Sequence, residues 1–209
     1  MERRRAIVYV AGGAAALPVL WFAWSWITYP SDRTPAGAYL RVMSAVNRGR
    51  PEAFFAYIET AAQHACFTIR NYRKKARERV LVSYPEPERT RLAGEYKAEA
   101  GAADGAAIFA LQARQRGWLG RLRRDMSGVK KVEINGQRAT VETARGTRYP
   151  FRRRDNGIWG LTLFTATLVS EAEKAARDYR MVEKAADDYD RVKAARQASP
   201  ADPRRRDAQ

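Results

Sequence analysis

The first 29 residues constrain this chain more strongly than any other part of it. Arg3, Arg4 and Arg5 are followed by no charged residue until Asp32, so residues 6–29 are a run of 24 uncharged positions. As a helix with a rise of about 1.5 Å per residue, this run is long enough to cross a hydrocarbon core of roughly 30 Å. The sequence therefore predicts a transmembrane helix, acting as a signal-anchor, over residues 6–29.

The charge on the short side of this helix predicts its orientation. Arginines before a span favour retention in the cytoplasm, so residues 1–5 form a cytoplasmic tail and the remainder lies across the membrane. This predicts a protein of a bacterial inner membrane, with its C-terminal domain in the periplasm of the cell envelope. The alternative is a cleaved signal peptide and a secreted domain. Aromatic side chains suited to the membrane interface cluster at the far end: Trp21, Trp24, Trp26 and Tyr29.

The chain is strongly basic, with 39 Lys and Arg against 23 Asp and Glu and a net charge of +16. Such a domain beside a bilayer would attract anionic lipid or an acidic protein partner of the envelope. An Arg- and Ala-rich composition is equally typical of a GC-rich genome. Nucleic acid is disfavoured as a partner because no reading motif accompanies the charge. The densest basic run supplies four candidates for an anion-binding surface, with a solvated helix face as the alternative: Arg70, Arg73, Lys74 and Arg77.

The residue types needed for several kinds of chemistry are scarce. One cysteine, Cys66, and one histidine, His64, provide neither an intramolecular disulfide nor a zinc site of ordinary spacing. No glycine-rich phosphate loop follows a predicted strand, and neither G-x-S-x-G nor H-E-x-x-H occurs. The sequence thus predicts no cofactor, no metal ligand and no identifiable catalytic residue.

The hydrophobic periodicity divides the remainder into a linker at 30–35, an α+β domain at 36–169, a C-terminal charged helix at 170–197 and a disordered tail at 198–209. Helical spacing dominates up to residue 127 and is followed by period-two alternation. Turns at Asn135-Gly136, Gly146 and Asp155-Asn156-Gly157 join four predicted strands into an antiparallel sheet that the helices cover. The fourth strand is predicted over 158–166, with Trp159, Leu161 and Leu163 on one buried face. Pro150 predicts an edge or a bulge in the third.

The C-terminal helix carries an apolar seam with alternating spacings of three and four residues. Packing against the chain's own domain is favoured over a long coiled coil, because the seam is short and alanine-rich. The seam consists of Ala172, Ala175, Tyr179, Val182, Ala186 and Tyr189.

Two stretches of the predicted sheet resemble a known superfamily. Residues 132–141 read VEINGQRATV, and residues 149–161 read YPFRRRDNGIWGL, with a tryptophan after the last turn. This layout is similar to the nuclear-transport-factor-2-like (cystatin-like) superfamily. The resemblance implies a curved sheet wrapped on helices around a cavity, used by some members for catalysis and by others for binding. Five residues are candidates for lining such a pocket: Tyr39, Tyr57, His64, Tyr149 and Trp159.

Three hypotheses for function follow. The first is a non-enzymatic single-pass envelope protein whose domain binds a protein partner or a lipid-like ligand, or serves as a scaffold. The second is a pocket enzyme of the isomerase or cyclase kind, which would need a polar pair deep in a closed apolar pocket. The third is a structural subunit of a membrane or secretion assembly that uses the seam helix. An interior filled with aromatic side chains favours the first over the second.

Overall fold

The computed structural model describes residues 30–198. Its helices are α1 (Pro35–Asn47), a 3₁₀ helix (Pro51–Tyr57), α2 (Thr60–Ser83), α3 (Glu88–Ala100), α4 (Gly105–Gln115), α5 (Trp118–Asp125) and α6 (Thr165–Ala198). Its strands are β1 (Val129–Asn135), β2 (Arg138–Thr143), β3 (Arg148–Arg153) and β4 (Trp159–Leu161). The fold is α+β, with the four strands in one antiparallel sheet of order β1-β2-β3-β4.

The predicted fold class includes a transmembrane helix, and the structure contradicts this part of the prediction. Within residues 30–198, no helix combines the length and the apolar character that crossing a bilayer requires. This finding also contradicts the prediction that the chain is a membrane protein with a signal-anchor. The segment 6–29 lies outside the described residues, and so do the predicted interface residues Trp21, Trp24, Trp26 and Tyr29.

The sheet buries one face and exposes the other, as expected from alternation along a strand. Ala139 and Val141 of β2 lie opposite Phe151 and Tyr149 of β3, and all four side chains are buried. Pro150 lies in an interior strand rather than at an edge. Its missing N–H removes no ladder bond of β4, because the β3–β4 pairing begins only at Phe151 and Leu161.

Strand β4 is much shorter than predicted. It ends at Leu161, and α6 begins at Thr165, five residues before the predicted start. Leu163 consequently belongs to a turn and is 49 % exposed, whereas the alternation predicted it on the buried face. On its other side β4 is covered by the chain entering α2, where Ile58 forms a parallel bridge with Leu161.

The main core lies between this sheet and α1, the 3₁₀ helix, α4 and α5. It is rich in aromatic rings, with Phe54 edge-on to Phe109 at 5.1 Å and Phe109 edge-on to Phe164 at 5.5 Å. Thr34 caps α1 by accepting a hydrogen bond from the Gly37 amide at 3.1 Å. The interior of the α+β body is thus filled by side chains.

A second, smaller core lies in the arm, which is the three-helix unit formed by residues 73–83 of α2, α3, and residues 176–198 of α6. Ion pairs and hydrogen bonds advance together along α2 and α6, from Arg73–Asp178 to Arg79–Asp187, so these two helices run parallel. Helix α3 returns antiparallel to them, with the Arg77 side chain donating to the Ala93 carbonyl. The arm core consists of Ala76, Val80, Tyr84, Ala93, Tyr96, Val182 and Ala186.

The apolar seam of α6 packs inside the chain. Ala172, Ala175, Val182 and Ala186 are buried, and Tyr179 is packed against the arm core. The chain's own helices therefore cover the face that the third hypothesis reserved for an assembly partner.

Candidate functional site

The described part of the chain contains a cleft with a volume of about 600 Å³. It opens between α5, the start of β3 and the connection from β4 to α6. Its apolar lining consists of Trp118, Leu122, Leu163 and Phe164. Its polar lining consists of Arg116, Arg121, Asp125, Thr147, Arg148, Tyr149 and Thr167. This volume falls within the range of known small-molecule sites.

The apolar wall of the cleft packs against aromatic rings of the main core. Trp118 stacks on Phe164 with ring centroids 4.5 Å apart and an angle of 30°. Phe109 supports both rings from the main core, at 6.0 Å from Trp118 and 5.5 Å from Phe164. Leu163 stands beside Phe164 and is half exposed. Trp118 is 7 % exposed and Phe164 is 3 % exposed, so Leu163 is the accessible apolar side chain of this wall.

The charged residues of the cleft differ in how far they are engaged elsewhere. Arg116 pairs with Glu171 at 2.6 Å, and its guanidinium lies 6.0 Å from the Trp118 ring. Arg121 is exposed; its one hydrogen bond in the described structure goes to the Arg116 carbonyl, and it has no carboxylate partner there. Arg148 pairs with Glu133 on the outer face of the sheet, because it precedes the inward-facing Tyr149. Arg121 is thus the cation most available to a ligand.

Tyr149 is the one predicted pocket residue that lines the cleft. Its side chain is buried, and within residues 30–198 its hydroxyl is the single buried side-chain polar atom without a hydrogen-bond partner. Burial raises the pKa of the Tyr149 phenol well above its ordinary value, and the nearby Tyr39 and Asp125 raise it further. The phenol therefore stays protonated and able to donate at any physiological pH.

Tyr39 lies next to Tyr149 with ring centroids 5.4 Å apart, but its hydroxyl is fully used within the fold. It donates to the Ser127 carbonyl at 2.7 Å and accepts from the Ser127 amide at 3.1 Å. Burial raises the pKa of Tyr39, and the hydrogen bond to Ser127 opposes that rise. Tyr39 therefore fixes the α5–β1 connection and does not line the cleft.

The other three pocket candidates lie elsewhere. Trp159 is buried, and its indole N–H donates to the Arg33 carbonyl at 3.0 Å, which secures the segment before α1 to β4. The Tyr57 hydroxyl donates to Asp32 at 3.3 Å. His64 is exposed on α2, in a shallow groove against Val169 and Ala172 of α6. The structure thus brings together Tyr39 and Tyr149 and separates both from His64.

The basic run predicted as an anion surface is largely engaged in contacts within the chain. Arg73 is 8 % exposed, pairs with Glu99 at 3.0 Å and Asp178 at 2.7 Å, and lies over the Tyr96 ring. The side chains of Arg70 and Arg77 donate to the carbonyls of Ala102 and Ala93. Lys74 faces solvent, 3.9 Å from Glu78. Three of the four side chains hold α2 against its neighbours.

Sequence reasoning missed the residues that build the cleft wall. The signal for Trp118 and Arg121 is present, since their spacing of three residues places them on the same side of α5, next to Leu122. For Phe164 no local signal exists, because its role depends on where β4 ends and α6 begins.

Metal-ion chemistry and thiol chemistry find little support among the residues that the structure describes. No group of three or more His, Cys, Asp or Glu side chains in residues 30–198 is placed to hold a metal ion. Cys66 is buried in the main core, and burial raises its pKa to about 12. A thiol in that environment is a poor nucleophile.

Comparison of the chain with protein-family models, with curated proteins and with solved structures finds no match in any of the three. The resemblance to the nuclear-transport-factor-2-like superfamily therefore stays a prediction.

Proposed function

We propose that residues 30–198 form a non-enzymatic binding domain, and that its ligand is a small lipid-like molecule held in the cleft beside α5. The observation that carries the proposal is the apolar side of the cleft, where the half-exposed Leu163 lies beside Trp118 and Phe164, which are largely buried and stack at 4.5 Å. An apolar surface of this kind beside a few polar groups is typical of sites for amphipathic small molecules.

The distribution of proton-transfer groups favours binding over catalysis. An isomerase or cyclase needs an acid and a base converging in an enclosed apolar pocket. Within the described chain, His64 lies in a separate groove between α2 and α6, and Asp125 is exposed at the rim of the cleft. Tyr149 has a raised pKa, which makes its phenol a weaker acid. The aromatic filling of the main core likewise favours the first hypothesis of the sequence analysis over the second.

The test is a calorimetric titration of the full chain with dodecanoate, which combines an apolar chain with a small polar head. We expect saturable binding that Leu163→Asn weakens about threefold to tenfold, because that substitution removes an aliphatic contact from the cleft. Met181→Gln is the matched control, since Met181 is also exposed but lies on the arm. Absence of binding, or equal binding by both variants, would contradict the proposal.

A further inference from the structure

Tyr149 is in an unfavourable arrangement that the fold does not require. Its side chain is 2 % exposed, and its hydroxyl makes no hydrogen bond in the described structure. An unpaired polar group in the interior is destabilising, and natural proteins contain few of them. A phenylalanine would fill nearly the same volume without this penalty. A buried donor at the wall of a cleft is therefore explained best by something that the cleft receives.

The neighbouring groups do not supply the missing acceptor. Tyr39 is the closest ring, but its hydroxyl is committed to the Ser127 backbone through two hydrogen bonds. Asp125 lines the same cleft and makes no hydrogen bond to Tyr149. No acceptor for the Tyr149 hydroxyl is therefore supplied by residues 30–198.

The charge at the rim indicates what kind of acceptor it is. Arg121 lines the cleft, is exposed, and has no carboxylate partner in residues 30–198. Arg116 also lines the cleft but is already paired with Glu171. Asp125 is the one acidic residue in the lining, against Arg116, Arg121 and Arg148. An anionic head group is favoured there, and it gains most from Arg121.

We propose that the ligand carries a carboxylate or an equivalent anionic oxygen group, which accepts a hydrogen bond from the Tyr149 hydroxyl and faces Arg121. This inference rests on the proposed function, because it assigns the polar end of the ligand whose apolar end lies on Trp118 and Phe164. Tyr149 is then the residue that selects the head group, while the aromatic wall accepts the chain.

The decisive experiment compares two tyrosine-to-phenylalanine variants of the full chain. Tyr149→Phe should weaken dodecanoate binding at least about tenfold, because it removes a hydrogen bond to a charged acceptor. The same variant should leave the thermal midpoint unchanged or raise it, because the hydroxyl has no partner in the free protein. Tyr39→Phe should do the reverse, lowering the midpoint by roughly 2–4 °C and leaving the affinity within about twofold.

A second measurement needs no variant. The wild-type chain should bind dodecanoate at least about tenfold more tightly than dodecyltrimethylammonium, which has the same chain length but a cationic head without an acceptor. Equal affinity for the two probes, or equal dodecanoate affinity of wild type and Tyr149→Phe, overturns the inference and leaves the proposed function standing. A loss of stability in Tyr149→Phe as large as that in Tyr39→Phe also overturns it. Failure of both probes to bind overturns the proposed function itself.

Discussion

Tyr39 and Tyr149 show how two identical side chains in contact acquire different roles. Both are buried on the inner face of the fold, and their rings lie 5.4 Å apart. One hydroxyl has a donor and an acceptor from the backbone of Ser127, whereas the other has neither. Both rings pack in the core, but only the Tyr39 hydroxyl contributes hydrogen bonds to the fold, so the Tyr149 hydroxyl needs a reason outside it.

The raised pKa of Tyr149 predicts a loss of stability at alkaline pH. In the unfolded chain the phenol ionises near its ordinary pKa of 10.0, whereas the folded state keeps it neutral to higher pH. The unfolded state then binds fewer protons, so the free energy of unfolding falls as pH rises above about 10. This one group accounts for at most about 1.4 kcal/mol per pH unit. Urea unfolding between pH 8 and 11 should show a steeper fall for wild type than for Tyr149→Phe. Identical slopes would contradict the prediction.

At the scale of elements, the arm is held together by contacts from side chains of the basic run. The guanidinium of Arg73 joins α2 to α3 through Glu99 and to α6 through Asp178. Lys74, the next residue, points to solvent and makes only a long ion pair with Glu78. These two adjacent residues carry the same charge but therefore differ sharply in their contribution to stability.

This difference predicts unequal effects of substitution. Arg73→Ala should lower the free energy of unfolding by about 3–5 kcal/mol, because it leaves Glu99 and Asp178 without their buried cation. Lys74→Ala is the control and should change it by no more than about 0.5 kcal/mol. Urea denaturation of the two variants measures both values. A comparable effect of the two substitutions would show that Arg73 does not link the helices.

Gly160 in β4 lies where the backbone of residues 58–59 approaches the strand closely. A Cβ atom there would lie 2.8 Å from the Ile58 carbonyl oxygen and 2.9 Å from the Glu59 Cα. Gly160→Ala should therefore destabilise the fold by about 1–3 kcal/mol. Gly94→Ala in α3 meets open space and should stabilise it by about 0.5–1 kcal/mol. Thermal unfolding of both variants tests the contrast, and a neutral Gly160→Ala would refute the close approach.

The elements that the sequence predicts well are those with local signals. The turn at Asn135-Gly136 needs only the residues that form it, and Gly136 adopts a positive φ of 58°. The end of β4 is different, because it depends on α6 beginning at Thr165, and this moves Leu163 from the core to the cleft. The partners of Arg73 lie 26 and 105 residues away in sequence, so a local pattern identifies the basic run but not its contacts.

The candidate site is predictable from sequence only in part, for the same reason. Tyr149 stands out as an aromatic residue on a strand with alternating burial. Its neighbours in the cleft come from α5 and from the start of α6, on either side of it in the chain. No periodicity within one element reports that Trp118 and Phe164 stack.

At the scale of the whole described molecule, α2 and α6 connect two cores. Both helices begin beside the sheet, where Thr165 donates to the buried carboxylate of Glu59 at 2.7 Å. They then run parallel into the arm. Helix α6 has 34 residues and spans about 51 Å. Its last eight residues, 191–198, are all exposed.

This architecture predicts a gradient of protection along α6. Amide hydrogens of residues 172–186 should exchange slowly, because both cores cover that stretch. Amides of residues 192–198 should exchange fast, because an unsupported helix end of that length is marginal in water. Hydrogen exchange followed by mass spectrometry resolves the two segments. Strong protection across residues 192–198 would mean that something covers the end of the arm.

The central claim, that the cleft beside α5 is a ligand site, is tested most directly by photo-crosslinking. The full chain is irradiated with a dodecanoate analogue that carries an aliphatic diazirine, and the modified peptides are mapped by mass spectrometry. We predict adducts in the three segments that line the cleft, residues 116–125, 147–149 and 161–168, which excess dodecanoate suppresses. Adducts in the groove around His64, or elsewhere outside those three segments, would contradict the claim.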